Sequence, residues 1–396
     1  MACLNVVAAA VFVTMSGMIS YSPLTLRIYD DYSDFVMRLK RLSTVLTVVV
    51  MVFFFLIQSW YRFFNQSIYT PRVATETVRT VILPPGAGAF YLVDQLMKDK
   101  AAHLSWLARW QAAAFVFFHP LKAGEYQVRP SVSLAQLLEA VAEGQVYLRR
   151  LVIMAGWRFE QLYRQLSAAP GLMHYLPNLS HLELMRLLGA YVDSPEGQFF
   201  PDTYFYTWGD SDIDILRQAY AKMQHTLKNL IATIPSKYST TGDFSNQLLI
   251  IASLIEKETS CQREKAIMAG VILQRLQRSM PLQLDATVHY SLGTAEMEHL
   301  THHLMRVQSP YNTYLHKGLP PTPIALPGLS SIKAALHPRV TNFLYFVASG
   351  NGCHDFSTTY RAHREKIARY FKHQSAKRNT LDFETLHGWI LKRGLL

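Results

Sequence analysis

Residues 42–61, Leu-Ser-Thr-Val-Leu-Thr-Val-Val-Val-Met-Val-Phe-Phe-Phe-Leu-Ile-Gln-Ser-Trp-Tyr, carry no charged side chain. As a helix this run is long enough to cross about 30 Å of hydrocarbon. Trp60 and Tyr61 stand where interfacial aromatics belong. Only a membrane or a wholly buried core accommodates such a segment, and its flanks favour the membrane. Arg38, Lys40 and Arg41 precede it, while Arg62 follows alone. That asymmetry puts the N-terminal side in the cytoplasm and the rest of the chain outside. The expectation is a single-pass anchor over residues 37–62, with everything after it folding beyond the membrane.

The residues before the anchor are ambiguous. Residues 1–26 are also uncharged, and Val6–Met15 is apolar. A second span would return the bulk of the chain to the side its N-terminus occupies. A signal peptide would want a basic leader, which is missing. The expected reading makes 1–36 an extension and places the translation start at Met37, where Met-Arg-Leu-Lys-Arg leads into the apolar run.

A chain of 396 residues has room for two or three domains. Its net charge of +11 points to an anionic partner. The basic residues are scattered without a dense block, so nucleic acid is not the expected partner. No Cys-x-x-Cys occurs among the three cysteines, so no metal site is expected. A Cys261–Cys353 bridge is open to an extracytoplasmic protein, but two unpaired thiols are the expectation.

Residues 63–75 read as a polar linker. A small βα-type module follows over 76–148, with a strand before Pro84-Pro85-Gly86 and a helix at Tyr91–Lys98. Apolar, mainly helical sequence follows at Ala101–Phe118, then a strand near Leu121–Val128. A last helix is capped by Ser133 and stopped by Gly144. The remainder, 149–373, mixes strands and helices, which makes the chain α+β. The expected elements are a strand at 148–156, a helix at Phe159–Ala168, an ordered aromatic loop from Gly197 to Tyr206, and helices at about 211–232 and 246–278. Ser330 or Ser331 caps a short helix, and Gly350-Asn-Gly352 joins a hairpin. Residues 374–396 form a tail.

Within the 246–278 helix, Ile251, Leu254 and Ile255 form an apolar stripe, and Glu258 continues it. A carboxylate on that face meets the interior or a cleft, where burial raises its pKa toward that of a general acid. Glu256 lies about 200° around the helix and is expected in solvent. Gln283, Asp285 and Thr287 alternate as on one face of a strand. Tyr311, Asn312, Thr313 and Tyr314 add amides, hydroxyls and rings. Sugars are bound by this mixture of polar groups and aromatic faces. Asp202 and Asp285 are further carboxylates to weigh as a second catalytic group. No phosphate loop, metal pair or nucleophile elbow is present, and no cofactor is expected.

Several of these segments, taken in order, resemble the MltG/YceG family of endolytic murein transglycosylases. They are Ile251-Ala-Ser-Leu-Ile-Glu-Lys-Glu-Thr259, Leu282-Gln-Leu-Asp-Ala-Thr-Val-His-Tyr290, Ser309-Pro-Tyr-Asn-Thr-Tyr314, Gly318-Leu-Pro-Pro-Thr-Pro-Ile-Ala325 and Ala334-Ala-Leu-His-Pro338. Phe200-Pro-Asp-Thr-Tyr204 is similar too, and brings Asp202 and Thr203 into the expected substrate-binding set. The resemblance implies an inner-membrane anchor, a LysM-like module at 76–148 and a periplasmic catalytic domain at 149–373. It also implies peptidoglycan strands as substrate, and penicillin-binding synthases as partners. The family's catalytic glutamate corresponds to Glu258. On this reading Glu258 protonates the oxygen between N-acetylmuramic acid and N-acetylglucosamine. It then takes the proton of the muramoyl C6 hydroxyl as that oxygen attacks C1, leaving a 1,6-anhydro end without consuming water. A lysozyme-like muramidase, which uses two carboxylates, and a non-catalytic, membrane-anchored glycan-binding scaffold are the competing readings.

Overall fold

Ser133 and Gly144 set the ends of one helix through their own chemistry. The Ser133 hydroxyl accepts from the backbone N–H of Gln136, and the Gln136 side chain accepts from the N–H of Ser133. This reciprocal cap satisfies two donors that the first helical turn leaves orphaned. Gly144 then stops the helix with φ 81°, a conformation that costs glycine little. The computed structural model describes residues 23–66, 68, 78–98, 104, 106–129, 131–235, 244–293 and 304–372. The apolar stretch Val6–Met15, residues 69–75 of the expected linker and the tail 374–396 lie outside these residues.

The chain divides into two compact units, Met1–Val146 and Tyr147–Leu396. In the first, α1 (Pro23–Asn65) is followed by β1 (Arg79–Leu83), α2 (Ala89–Lys98), α3 (Ala108–Phe118), β2 (Gly124–Val128) and α4 (Leu134–Glu143). Strands β1 and β2 pair antiparallel, with Val81 opposite Tyr126. Leu92 and Leu96 of α2 and Leu137, Leu138 and Val141 of α4 close over that ribbon. Phe63, in the last turn of α1, is buried in the same core. Among the described residues α1 holds the one helix apolar and long enough to cross a membrane, over Asp34–Asn65. The helix itself begins earlier than the expected anchor, at Pro23.

The second unit opens with β3 (Arg149–Val152), α5 (Phe159–Ser167) and α6 (His181–Leu187). It continues with β4 (Thr203–Tyr206), α7 (Asp212–Ile231), α8 (Phe244–Glu258), α9 (Lys265–Gln277), α10 (Asp285–Leu292), α11 (Leu329–Leu336), β5 (Tyr345–Ala348) and β6 (His354–Ser357). A final helix, α12, spans 360–372. The pairs β3–β4 and β5–β6 are both antiparallel. Short antiparallel ribbons beside packed helices make the fold α+β. One core gathers α5, α6, β4 and the start of α7, and a second surrounds α8.

Four expectations differ from the structure. The aromatic loop at 197–206 ends in a strand, because Thr203–Tyr206 pairs with β3 and alternates buried Tyr204 and Tyr206 with exposed Phe205. The helix expected over 246–278 is two helices, α8 and α9, broken at 259–264. Gln283, Asp285 and Thr287 do not share a strand face. Gln283 sits at φ 53°, and Asp285 opens α10, so side-chain directions there follow a helical rather than a two-residue period. The cap of α11 also falls earlier than expected, at Gly328.

Candidate functional site

Eight consecutive residues of α8, Leu248 to Ile255, are buried. A helix apolar on every side belongs in the middle of a core, and α9 and α11 both pack against it. This overturns the solvated position expected for Glu256. With no solvent face left, its carboxylate turns inward. It accepts the backbone N–H of Gly328 at 2.9 Å and pairs with Lys265 Nζ at 3.2 Å. Lys265 also donates to Ser330 Oγ at 3.1 Å. Glu256 is therefore a structural tie between α8, α9 and the start of α11.

Glu258 is the last residue of α8 and opens into a cleft of about 730 Å³. Ala155, Trp157, Arg158, Lys257 and Ser260 help to line it. Its Oε1 is withdrawn from solvent. The chain behind it is braced. The Thr259 hydroxyl donates to Glu264 and accepts from the N–H of Cys261. Glu264 is buried and also accepts from the N–H and ring Nδ1 of His354, at 2.8 and 2.6 Å. Burial alone would raise the Glu264 pKa. The bonds from Thr259 and His354 outweigh it and hold the carboxyl below its ordinary value.

Cys261 and Cys353 form a disulfide, with Cα atoms 5.4 Å apart, instead of the two free thiols expected. The break between α8 and α9 carries Cys261 to the tip of the β5–β6 hairpin, a long-range approach that cysteine spacing does not reveal.

Of the expected sugar-binding set, Tyr314 lies within the field of Glu258. Tyr314 donates its hydroxyl to Asp285. Burial is the main reason its phenol pKa is raised, followed by the bond to Asp285 and the charges of Asp285 and Glu258. Tyr314 is thus held as a neutral phenol within the field of both carboxylates. Gln283 is exposed and accepts from Arg275 at 3.3 Å.

Other members of the set are internal. Thr287, Asn312 and Thr313 are buried. Thr287 and Thr313 share a hydroxyl–hydroxyl bond at 3.0 Å, and Asn312 Nδ2 donates to the carbonyls of Met305 and Val307. These three are buried and make their hydrogen bonds within the protein. Asp202 is ion-paired with Lys222, and neither it nor the exposed Thr203 lines the Glu258 cleft.

Sequence reasoning missed Glu196. It is buried in a second cleft of about 750 Å³, among Arg158, His181, Tyr290 and Tyr311. The two clefts share Arg158, Glu160 and Gly293, so Glu196 and Glu258 face adjoining stretches of one groove. Both Glu196 oxygens accept the N–H of Phe159 at the start of α5, at 3.0 and 3.3 Å, and Tyr290 donates to it at 3.3 Å. Burial pushes its pKa up to about 7, against the lowering effect of these bonds and of Arg158. Arg158 lies over the Tyr290 ring at 5.1 Å, and Tyr290 packs on Tyr311 at 4.8 Å.

Gly197 places this carboxylate. It has φ 77°, and a Cβ there would come within 2.4 Å of Pro323. A glycine beside a carboxylate, just ahead of Phe-Phe-Pro, is the only sequence signal for Glu196, and it is weak.

Comparison with known proteins gives a consistent result. A model of the YceG-like family matches residues 81–369. The endolytic murein transglycosylase of Bacillus subtilis is 35% identical over 182 residues, covering 46% of this chain and 49% of its own. That of Streptococcus pneumoniae is 28% identical over 269 residues, covering 60% and 48%. The chain spans about half the length of these curated relatives. A solved YceG-like protein of Listeria monocytogenes aligns with a TM-score of 0.48 at 26% identity, covering 74% of this chain and 99% of that one.

Proposed function

The chain belongs to the YceG-like family, and on that premise we propose that it is a membrane-anchored endolytic transglycosylase of peptidoglycan strands. The observation that carries this reading is Glu258 at the end of a buried helix, opening into a groove and acting by its charge on the phenol of Tyr314, which is bonded to Asp285. Glu258 donates a proton to the glycosidic oxygen between N-acetylmuramic acid and N-acetylglucosamine. As that bond breaks, C1 acquires oxocarbenium character. The resulting Glu258 carboxylate takes the proton of the muramoyl C6 hydroxyl while its oxygen bonds to C1. One residue gives a proton and recovers one, and the product carries a 1,6-anhydro end. Tyr314 and Asp285 orient the sugar beside Glu258. Tyr290 and Tyr311 offer ring faces further along the groove, suited to the apolar faces of a glycan.

The anchor reading rests on the uncharged run within α1 and on the basic residues ahead of it. It puts the second unit outside an inner membrane, in the periplasm, and the Cys261–Cys353 disulfide supports an oxidising compartment. The β1–α2–α3–β2 arrangement supports a LysM-like, glycan-binding role for the first unit. Penicillin-binding synthases are proposed partners.

Digestion of polymeric glycan by the full chain, followed by mass spectrometry of the ends, tests the reaction. Anhydro ends are expected. Reducing ends would replace this reading with a muramidase, for which Glu196 supplies the second carboxylate of the groove. Intact strands would leave a glycan-binding scaffold.

A further inference from the structure

Helix α3 carries an outward stripe that water does not suit. Trp110, Ala114 and Phe117 recur at helical spacing, Phe118 flanks them, and Trp106 precedes them in the adjoining turn. The aromatics are far more exposed than a soluble surface tolerates in a cluster: Trp106 68%, Trp110 64%, Phe117 83% and Phe118 77%. Residues 110–118 contain no charge.

The opposite face of α3 settles where this stripe lies. Gln111 Nε2 donates to Ser59 Oγ at 2.9 Å, and the ring of Phe115 lies 6.5 Å from that of Phe63. Ser59 and Phe63 belong to the last turns of α1, beside the exposed Trp60, Tyr61 and Phe64. These are the turns at which the span leaves the hydrocarbon. The stripe is therefore continuous with the aromatic belt of the anchor, and the chemistry it meets there is lipid.

We propose that α3 is a second, interfacial membrane contact, seating Trp106, Trp110, Phe117 and Phe118 among headgroups and upper acyl chains beside the end of α1. This rests on the reading of α1 as a membrane span. An apolar aromatic face lying in the interface is how amphipathic helices hold a bilayer surface, and tryptophan is favoured at that depth. The first unit is thereby tethered at two points.

Spin labels on the full chain in phosphatidylcholine–phosphatidylglycerol nanodiscs test this. Single labels are placed at Val49→Cys in α1, Phe117→Cys in α3 and Glu139→Cys on the exposed side of α4. Cys3→Ser is the background, and the disulfide is kept oxidised. Oxygen concentrates in lipid and a charge-neutral nickel chelate stays in water, so their collision ratio reports depth. The expected ratio at 117 is several-fold higher than at 139 and lies below that at 49, as an interfacial depth requires. A lipid-like ratio at 49 with a water-like ratio at 117 overturns the inference and leaves the anchor standing. Protection of 117 from both reagents also overturns it, because the stripe is then covered by protein. A water-like ratio at 49 removes the anchor, and the inference with it.

Discussion

Glu256 Oε2 accepts the backbone N–H of Gly328 at 2.9 Å while Lys265 Nζ holds the same carboxylate at 3.2 Å. Two residues on, Glu258 ends the helix and faces a groove. The neighbouring acids are placed differently: one ties three helices together, and the other opens into the cleft. Lys265 and Glu256 are only 3% and 12% exposed, so removing one leaves the other charged without its partner in the interior. Glu256→Ala is expected to cost about 3–5 kcal/mol of stability, as for buried pairs generally. Calorimetry or thermal denaturation should register this as a large fall in Tm, with activity lost in step with the folded fraction.

Glu258→Gln separates the roles from the other side. The isosteric amide cannot give and recover a proton, and anhydro-end formation should drop by roughly 10²–10⁴-fold, the usual share of general acid–base catalysis. Tm should stay near that of the parent. A variant that cleaves at the parental rate would remove Glu258 from the mechanism.

Glu196 gives the fold a pH dependence with a definite sign. Its pKa rises from 4.5 to about 7 on burial, so the folded state favours the neutral acid. Stability from this group is complete below pH 4.5, falls as pH climbs toward 7, and is lost above that. The difference amounts to about 3 kcal/mol. Glu196→Gln retains an acceptor for the N–H of Phe159 and cannot ionise. Denaturation at a series of pH values from 4.5 to 8 should show a flatter profile for the variant, with its advantage greatest at the alkaline end.

The Cys261–Cys353 bond closes a separation of 92 residues. Replacing both cysteines by serine is expected to cost about 2–4 kcal/mol, mainly by freeing the unfolded chain. The bond also restrains the turn immediately after Glu258, so turnover should fall under conditions where the serine variant is still folded. Reduction of the parent protein should reproduce both effects, and unchanged turnover in folded variants would limit the bond to stability.

Much of the fold was legible wherever the determinants are local. The Ser133 cap, the Gly144 stop, the Gly350–Gly352 hairpin connection and the uncharged run of α1 depend on a few adjacent residues. The cleft-facing position of Glu258 was legible for a related reason, since it extends an apolar stripe a full heptad along one helix. The same logic failed at Glu256, because a helical wheel assumes that one side meets water. It failed again at 283–287, where alternation in a short segment mimicked a strand although Asp285 begins a helix. Thr287, Asn312 and Thr313 had the chemistry of sugar binders, but burial committed their hydrogen bonds to the scaffold.

The sequence by itself determined the membrane-length apolar segment, the α+β character and the place of Glu258 beyond an apolar stripe, because periodicity, capping and charge are properties of near neighbours. Tertiary structure alone decided that Glu256 is a tie, that Cys261 meets Cys353, and that Glu196 shares a groove with Glu258. It also decided that Tyr314 bonds to Asp285 within the field of Glu258. Those relationships depend on which faces of α8 are covered and on loops that meet far along the chain, and packing settles both only when the whole core closes.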